Sequence, residues 1–197
     1  MKISPIQQST YVNLVNINKQ EKKEDDAVNI HNSAVTVPLD NYGRYLVNFR
    51  SGKSKAMKKV AELPMRAKKA YALDEVPVGA VLVMGGRIIA RGHNLTETLK
   101  DATAHAEIQV LTSAMAELGA KYLPDCTLYV TVEPCVMCAG AIYWAKIPRV
   151  VYGASEEKYG FTVKSPGALL EKTEVISGVL ADECASLMKD FFKSKRK

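Results

Sequence analysis

A single imidazole, a carboxylate two residues later and two cysteines three apart place the tightest constraint on this chain. They lie in T-A-H-A-E (103–107) and E-P-C-V-M-C-A-G-A (133–141). His105, Cys135 and Cys138 offer three metal ligands. Three protein ligands with an open fourth position is the ligand count of a catalytic zinc site, whereas a structural site is usually closed by a fourth side chain. Glu107 is then left over as an acid or base beside the metal.

Local rules place these residues on helix starts. Thr103 can cap a helix whose apolar stripe Ile108, Leu111, Met115 and Leu118 repeats every three to four residues, which puts His105 in its first turn. A second helix is predicted to begin at Pro134, with Cys135 and Cys138 on one face at i, i+3. Two helix N-termini then point at one ion, and their dipoles favour ionised thiols. On a regular helix, however, His105 and Glu107 diverge, so their convergence requires an irregular or terminal turn. By itself C-x-x-C also fits a redox pair or half of a structural zinc site. Joined to Pro134, His105 and Glu107, it favours catalysis. Cys126 and Cys184 read as small buried hydrophobes. His31 and His93 lack ligand partners at useful spacing.

The 197 residues suit one domain of ordinary size with something added. A hydrophobic share of 47% and a charged share of 24% are those of a soluble globular protein. No apolar run approaches the roughly 20 residues needed to span a bilayer, and the N-terminus lacks a secretory pattern. Four cysteines, two of them committed to metal, make no disulfide framework, so a reducing cytoplasm is the expected location. The net charge of +6 is compatible with a polyanion partner without requiring one. Its distribution says more: Lys189, Lys193, Lys195, Arg196 and Lys197 crowd the C-terminus beside Phe191 and Phe192. Cations also suit a helix C-terminus, so the cluster fits a solvated end or a binding patch.

Residues 1–56 carry no sustained period and are expected to be mostly disordered or loosely attached, although V-T-V-P-L and Y-L-V-N-F could dock. S-G-K-S-K reads as a linker. The domain, 57–197, opens with a helix from about Met57 to Leu73 that Pro64 should kink or shorten. Two apolar runs around Gly85-Gly86 form a hairpin. Helix 104–118, strand 127–131, helix 134–144, strand 149–153, strand 173–177 and helix 181–192 come next, with 154–172 the longest structureless stretch. This alternation predicts an α/β fold, a five-stranded mixed sheet between helices in three layers.

Several segments carry a resemblance: E-V-P-V-G-A-V-L-V, Asn94, T-A-H-A-E, L-Y-V-T-x-E-P-C-V-M-C-A-G-A, R-V-V-Y-G-A and L-A-D-E-C-A-S-L-M-K-D-F-F. From about Met57 onward the chain resembles bacterial tRNA-specific adenosine deaminases, within the cytidine deaminase-like zinc deaminases. The resemblance implies one zinc per subunit, Glu107 as proton shuttle, and a homodimer; the apolar run Ala139, Ala141, Ile142, Tyr143 and Trp144 fits either a helix touching the second subunit or one buried on two sides within a single subunit. For the substrate it implies Asn94 and the backbone amide of Ala106 as hydrogen-bonding groups, and Val76 and Val132 as pocket wall. Lys158, Phe191, Phe192 and the basic tail would meet RNA. Glu133 is expected to serve as a helix-start carboxylate.

Three functions compete. The first is deamination of adenosine to inosine at the wobble position of a tRNA anticodon stem-loop. The second is a free-base or nucleoside deaminase acting on guanine or cytosine, since I-Y-W-A-K is similar to guanine deaminases. The third, a non-catalytic zinc-stabilised RNA-binding domain, leaves Glu107 without a task.

Overall fold

The computed structural model describes residues 55–196. The expectations for residues 1–54 lie outside the described residues. From Lys59 onward the described residues form one compact unit that holds the sheet and the helices that cover it.

Helix α1 (Lys55–Ala72) leads into strands β1 (Gly79–Met84) and β2 (Arg87–His93). A short turn of helix α2 (Thr96–Leu99) and helix α3 (Ala106–Leu118) come next, then β3 (Cys126–Val132) and α4 (Val136–Ala145). The chain continues through β4 (Arg149–Ala154), a short α5 (Phe161–Lys164), β5 (Glu174–Ile176) and α6 (Ala181–Lys195). The sheet order is β2-β1-β3-β4-β5. β1 runs antiparallel to both β2 and β3, whereas β3, β4 and β5 are parallel. Gly85 and Gly86 both take positive φ, as the two-residue hairpin turn demands.

Both faces of the sheet are covered, so its central strands read as continuous apolar runs. Ala80, Leu82, Leu128, Val130, Val150 and Tyr152 pack with Val110 of α3 and Ile142 of α4 in the larger core. On the other face Val81 and Val83 meet Leu63 of α1, and Cys184 of α6 lies against Gly153. The result is the expected three-layer α/β arrangement. Two glycines allow the closest approaches. A Cβ on Gly79 would lie 2.5 Å from Arg66 Cβ, and one on Gly92 would lie 2.9 Å from Val110 Cγ1, so α1 and α3 dock where side chains are missing.

Four expectations need correction. α1 does not start late at Pro64: it runs as one helix across the proline, with Leu63, Pro64, Ala67 and Ala70 buried. Packing against β1 outweighs the single hydrogen bond that proline removes. α3 begins at Ala106 and α4 at Val136, each two residues later than expected. The stretch 154–172 contains α5. Ala139 and Ile142 face the core, so the exposed stripe of α4 is Met137 and Trp144, seven residues and two turns apart.

Candidate active site

The late helix starts resolve the geometry of the motif. His105 is the N-cap of α3, with φ −67° and ψ 155°, and Cys135 is the N-cap of α4, with φ −72° and ψ 172°. Both backbones are extended, so each side chain swings out of the helical path. His105 and Glu107 no longer diverge as they would within a helix, because only Glu107 has helical backbone. Pro134 is outside α4; its carbonyl accepts a bond from Phe161 N–H, and Cys135 forms a bridge with Gly160. Among the described residues neither N-cap side chain makes a capping hydrogen bond, and both helices present their positive dipole ends.

The His105 Nδ1 atom lies 3.7 Å from Cys135 Sγ and 3.6 Å from Cys138 Sγ. Two ligands at zinc–sulfur and zinc–nitrogen bond lengths on adjacent corners of a tetrahedron stand about 3.6 Å apart. All three donor atoms lie within 4.8 Å of one another, a set that could hold a metal ion. Electrostatics agree. The hydrogen bond from Cys138 lowers the Cys135 thiol to about 4, against burial and with help from His105. Cys138 is pushed up by that same bond and by burial. The thiols thus share one proton, which a divalent cation displaces. Contact with Cys135 raises His105 above its ordinary value, against burial.

Glu107 stands beside this set, 3% exposed, and its Oε2 has no hydrogen-bond partner among the described residues. Burial pushes its carboxyl up to about 7. An unpartnered buried carboxylate oxygen is costly, and its place beside a set that could hold a metal ion makes Glu107 a candidate for proton chemistry.

His105, Glu107 and Cys135 line a cleft of about 1120 Å³ at the carboxyl ends of β3 and β4. Asn94, Val76, Val132, Lys158 and Phe192 line it as well. Ala106 is wholly buried at the first helical position, where the helix supplies no acceptor for its N–H. Phe191 is a correction: it is 5% exposed and packs edge-on against Tyr71 of α1 at 5.6 Å, away from the cleft. Adjacent residues on a helix point in different directions, and only Phe192 turns to the opening. Lys158, Lys189, Lys193 and Arg196 surround the mouth, opposed by Glu156 and Glu157. Lys195 is engaged elsewhere, 2.5 Å from Asp74.

Two buried carboxylates hold the walls. Glu133 is not a cap for α4. It accepts bonds from Glu156 N–H, Thr162 N–H and Thr162 Oγ1, at 3.1, 3.0 and 2.6 Å, and so ties down the segment that carries Lys158. A Cβ on Gly160 would fall 2.5 Å from its Oε1, which explains the glycine. Glu75, fully buried, holds the opposite wall through Asn94 and α2. It opens the segment E-V-P-V-G-A-V-L-V that carries the resemblance, but no role is expected of it from the sequence, because nothing in that segment names its partners.

Known proteins resemble this chain. The family model of MafB19-like deaminases matches residues 51–196. A tRNA-specific adenosine deaminase of Bacillus subtilis is 47% identical over 136 residues, covering 66% of this chain and 84% of that protein. One of Agrobacterium fabrum is 45% identical, covering 67% and 90%. A solved structure from work on A-to-I editing by tRNA A34 deaminases at the wobble position superposes with a TM-score of 0.63. It is 42% identical, covering 66% of this chain and 99% of that one. With the extended N-caps, the N,S,S donor set and the buried carboxylate all falling within the matched residues, the chain belongs to the deaminase family of the tRNA-specific adenosine deaminases.

Proposed function

We propose that this protein hydrolytically deaminates adenosine to inosine at the anticodon wobble position of a tRNA. The observation that carries this reading is the buried Glu107 carboxylate, one oxygen unpartnered, beside the His105, Cys135 and Cys138 atoms in a cleft with a basic mouth. His105, Cys135 and Cys138 would hold one zinc ion per chain, since one imidazole and two thiolates suit zinc. A zinc ion held there would supply a nucleophile at neutral pH by lowering the pKa of its water to about 7. Glu107 accepts one proton of the attacking water and passes it to the ring nitrogen, then takes the second proton from the hydroxyl now on C6 and gives it to the departing amine. The C6–O bond forms, the C6–N6 bond breaks and the nitrogen leaves as ammonia.

Val76 and Val132 wall the base, Asn94 and the Ala106 N–H hydrogen-bond the nucleoside, and Lys158 and Phe192 meet the flanking RNA. A base presented in a single-stranded loop enters such a pocket at modest cost. The test is to incubate the protein with an anticodon stem-loop carrying a wobble adenosine, and separately with guanine, cytosine and adenosine. Inosine in the hairpin alone is expected. Rapid ammonia from guanine or cytosine with an unchanged hairpin would transfer the reading to a free-base deaminase.

Homodimerisation is part of the proposal. Trp144 is 71% exposed on the α4 stripe with Met137, more apolar surface than one solvated helix needs. Among the described residues no helix is long and apolar enough to cross a membrane. Thiolate ligands suit a reducing cytoplasm. The boundary near residue 56 is supported by a family match that begins at residue 51. Deleting residues 1–50 is therefore expected to leave turnover within about twofold and the sedimenting species dimeric, since termini outside a core tolerate removal. A truncated chain that sediments as a monomer or loses its metal would make the extension structural.

A further inference from the structure

We propose that Glu75 is a positioning residue: it holds the side-chain amide of Asn94 so that only the amide oxygen faces the cleft. The inference rests on the reading of Asn94 as a substrate contact and specifies what that contact can be. Asn94 is 4% exposed and lies on the cleft wall. Its Nδ2 donates to Glu75 Oε2 at 3.0 Å and to Thr96 Oγ1 at 2.9 Å, so both amide protons are used. The Thr96 hydroxyl itself donates to Glu75 Oε2 at 3.2 Å, which leaves its lone pairs to receive Asn94.

The Glu75 carboxylate is held in turn. Glu97 N–H reaches its Oε2 at 3.2 Å and Thr98 N–H reaches its Oε1 at 2.7 Å. These are first-turn amides of α2, a turn whose own N-cap, Leu95, makes no side-chain bond. Glu75 thus caps α2 from a distance and anchors Asn94 with the same group. Burial alone would favour the neutral acid, but the bonds from Thr98, Glu97 and Thr96 outweigh it and lower the pKa. An ionised carboxylate only accepts, so Asn94 cannot turn its oxygen toward Glu75 without placing two acceptors face to face. The cleft therefore meets an acceptor at Asn94, which selects a substrate donor at that point: a ribose hydroxyl or the exocyclic amine.

The two duties of Glu75 separate by variant. In Glu75→Gln the amide oxygen takes the place of Oε2, where three donors converge, and the amide nitrogen faces Thr98. That variant is expected to melt earlier yet keep kcat/KM on the hairpin within about threefold. Glu75→Ala removes both anchors and is expected to lower kcat/KM about 10- to 100-fold, whereas in an Asn94→Ala background it lowers it by no more than about twofold. Losses that multiply across the two backgrounds, or a Glu75→Gln variant as impaired as Glu75→Ala, would overturn the assignment. If Glu75→Ala fails to fold, Thr96→Val takes its place in the cycle with the same expected non-additivity. An activity-independent readout is the Asn94 side-chain amide by NMR, where both protons should be protected from exchange in the wild type; rapid exchange of both overturns the anchoring. A wild type that deaminates no hairpin overturns the functional reading alone, and the amide spectrum still decides on Glu75.

Discussion

Cys138→Ala is expected to lose metal and activity together. Cys138 is fully buried at the third residue of α4, and its sulfur lies 3.6 Å from the His105 nitrogen, so no solvent-borne ligand can replace it without opening the core. Only His105 and Cys135 would remain, too few donors for a stable tetrahedral site. Elemental analysis should fall from one equivalent toward none. Thermal stability should fall with it, because an ion bound only by the folded state and present at 1,000 times its Kd contributes about 4 kcal/mol. Chelation provides the matched control: it should lower the melting temperature of the wild type and leave that of Cys138→Ala nearly unchanged. A variant that retains stoichiometric metal would remove Cys138 from the ligand set.

Glu107→Gln should show the opposite pattern, with metal kept and turnover lost. The substitution preserves shape but cannot carry a proton, and positioned acid–base groups are worth about 10²- to 10⁴-fold in rate. In the metal-free protein, where no cation opposes the effect of burial, stability should hold or rise. Burial pushes the Glu107 carboxyl from an ordinary value near 4.5 up to about 7, so its ionised form costs stability as pH climbs through that interval. A neutral amide escapes that cost. Single-turnover assays on the hairpin, with metal content measured on the same sample, read both halves of the prediction. Activity above a tenth of wild type would count against a proton shuttle at this position.

Glu75 and Glu107 show two different uses of a buried carboxylate. Glu75 has its lone pairs taken by four donors from Asn94, Thr96, Glu97 and Thr98, and burial has been offset by hydrogen bonding. Glu107 leaves one oxygen without a partner among the described residues, and burial has instead raised its pKa. The first arrangement is suited to holding a neighbour still. The second is suited to exchanging a proton with whatever enters the cleft.

The sequence by itself determined the α/β class, the hairpin at Gly85-Gly86, the order of the five strands and the four long helices, and the pattern that links His105, Glu107, Cys135 and Cys138. Each of these is written locally, in apolar period, turn chemistry or close spacing, and local signals survive without knowledge of the neighbours. What only the tertiary structure decided depends on groups far apart in the chain. Pro134 obeys the rule for a first helical residue, yet the helix starts at Val136 because Pro134 and Cys135 are drawn into contact with Gly160 and Phe161. Pro64 should interrupt α1, and burial of its neighbours against β1 overrides that preference. Phe191 and Phe192 are interchangeable in composition, but docking on Tyr71 takes one into the core and leaves the other at the cleft. Glu75 has no spacing that could mark it, since its donors lie 19 to 23 residues downstream and meet it only after the hairpin has closed. Buried polar groups must be satisfied by whatever the fold brings to them, and that demand is met in three dimensions.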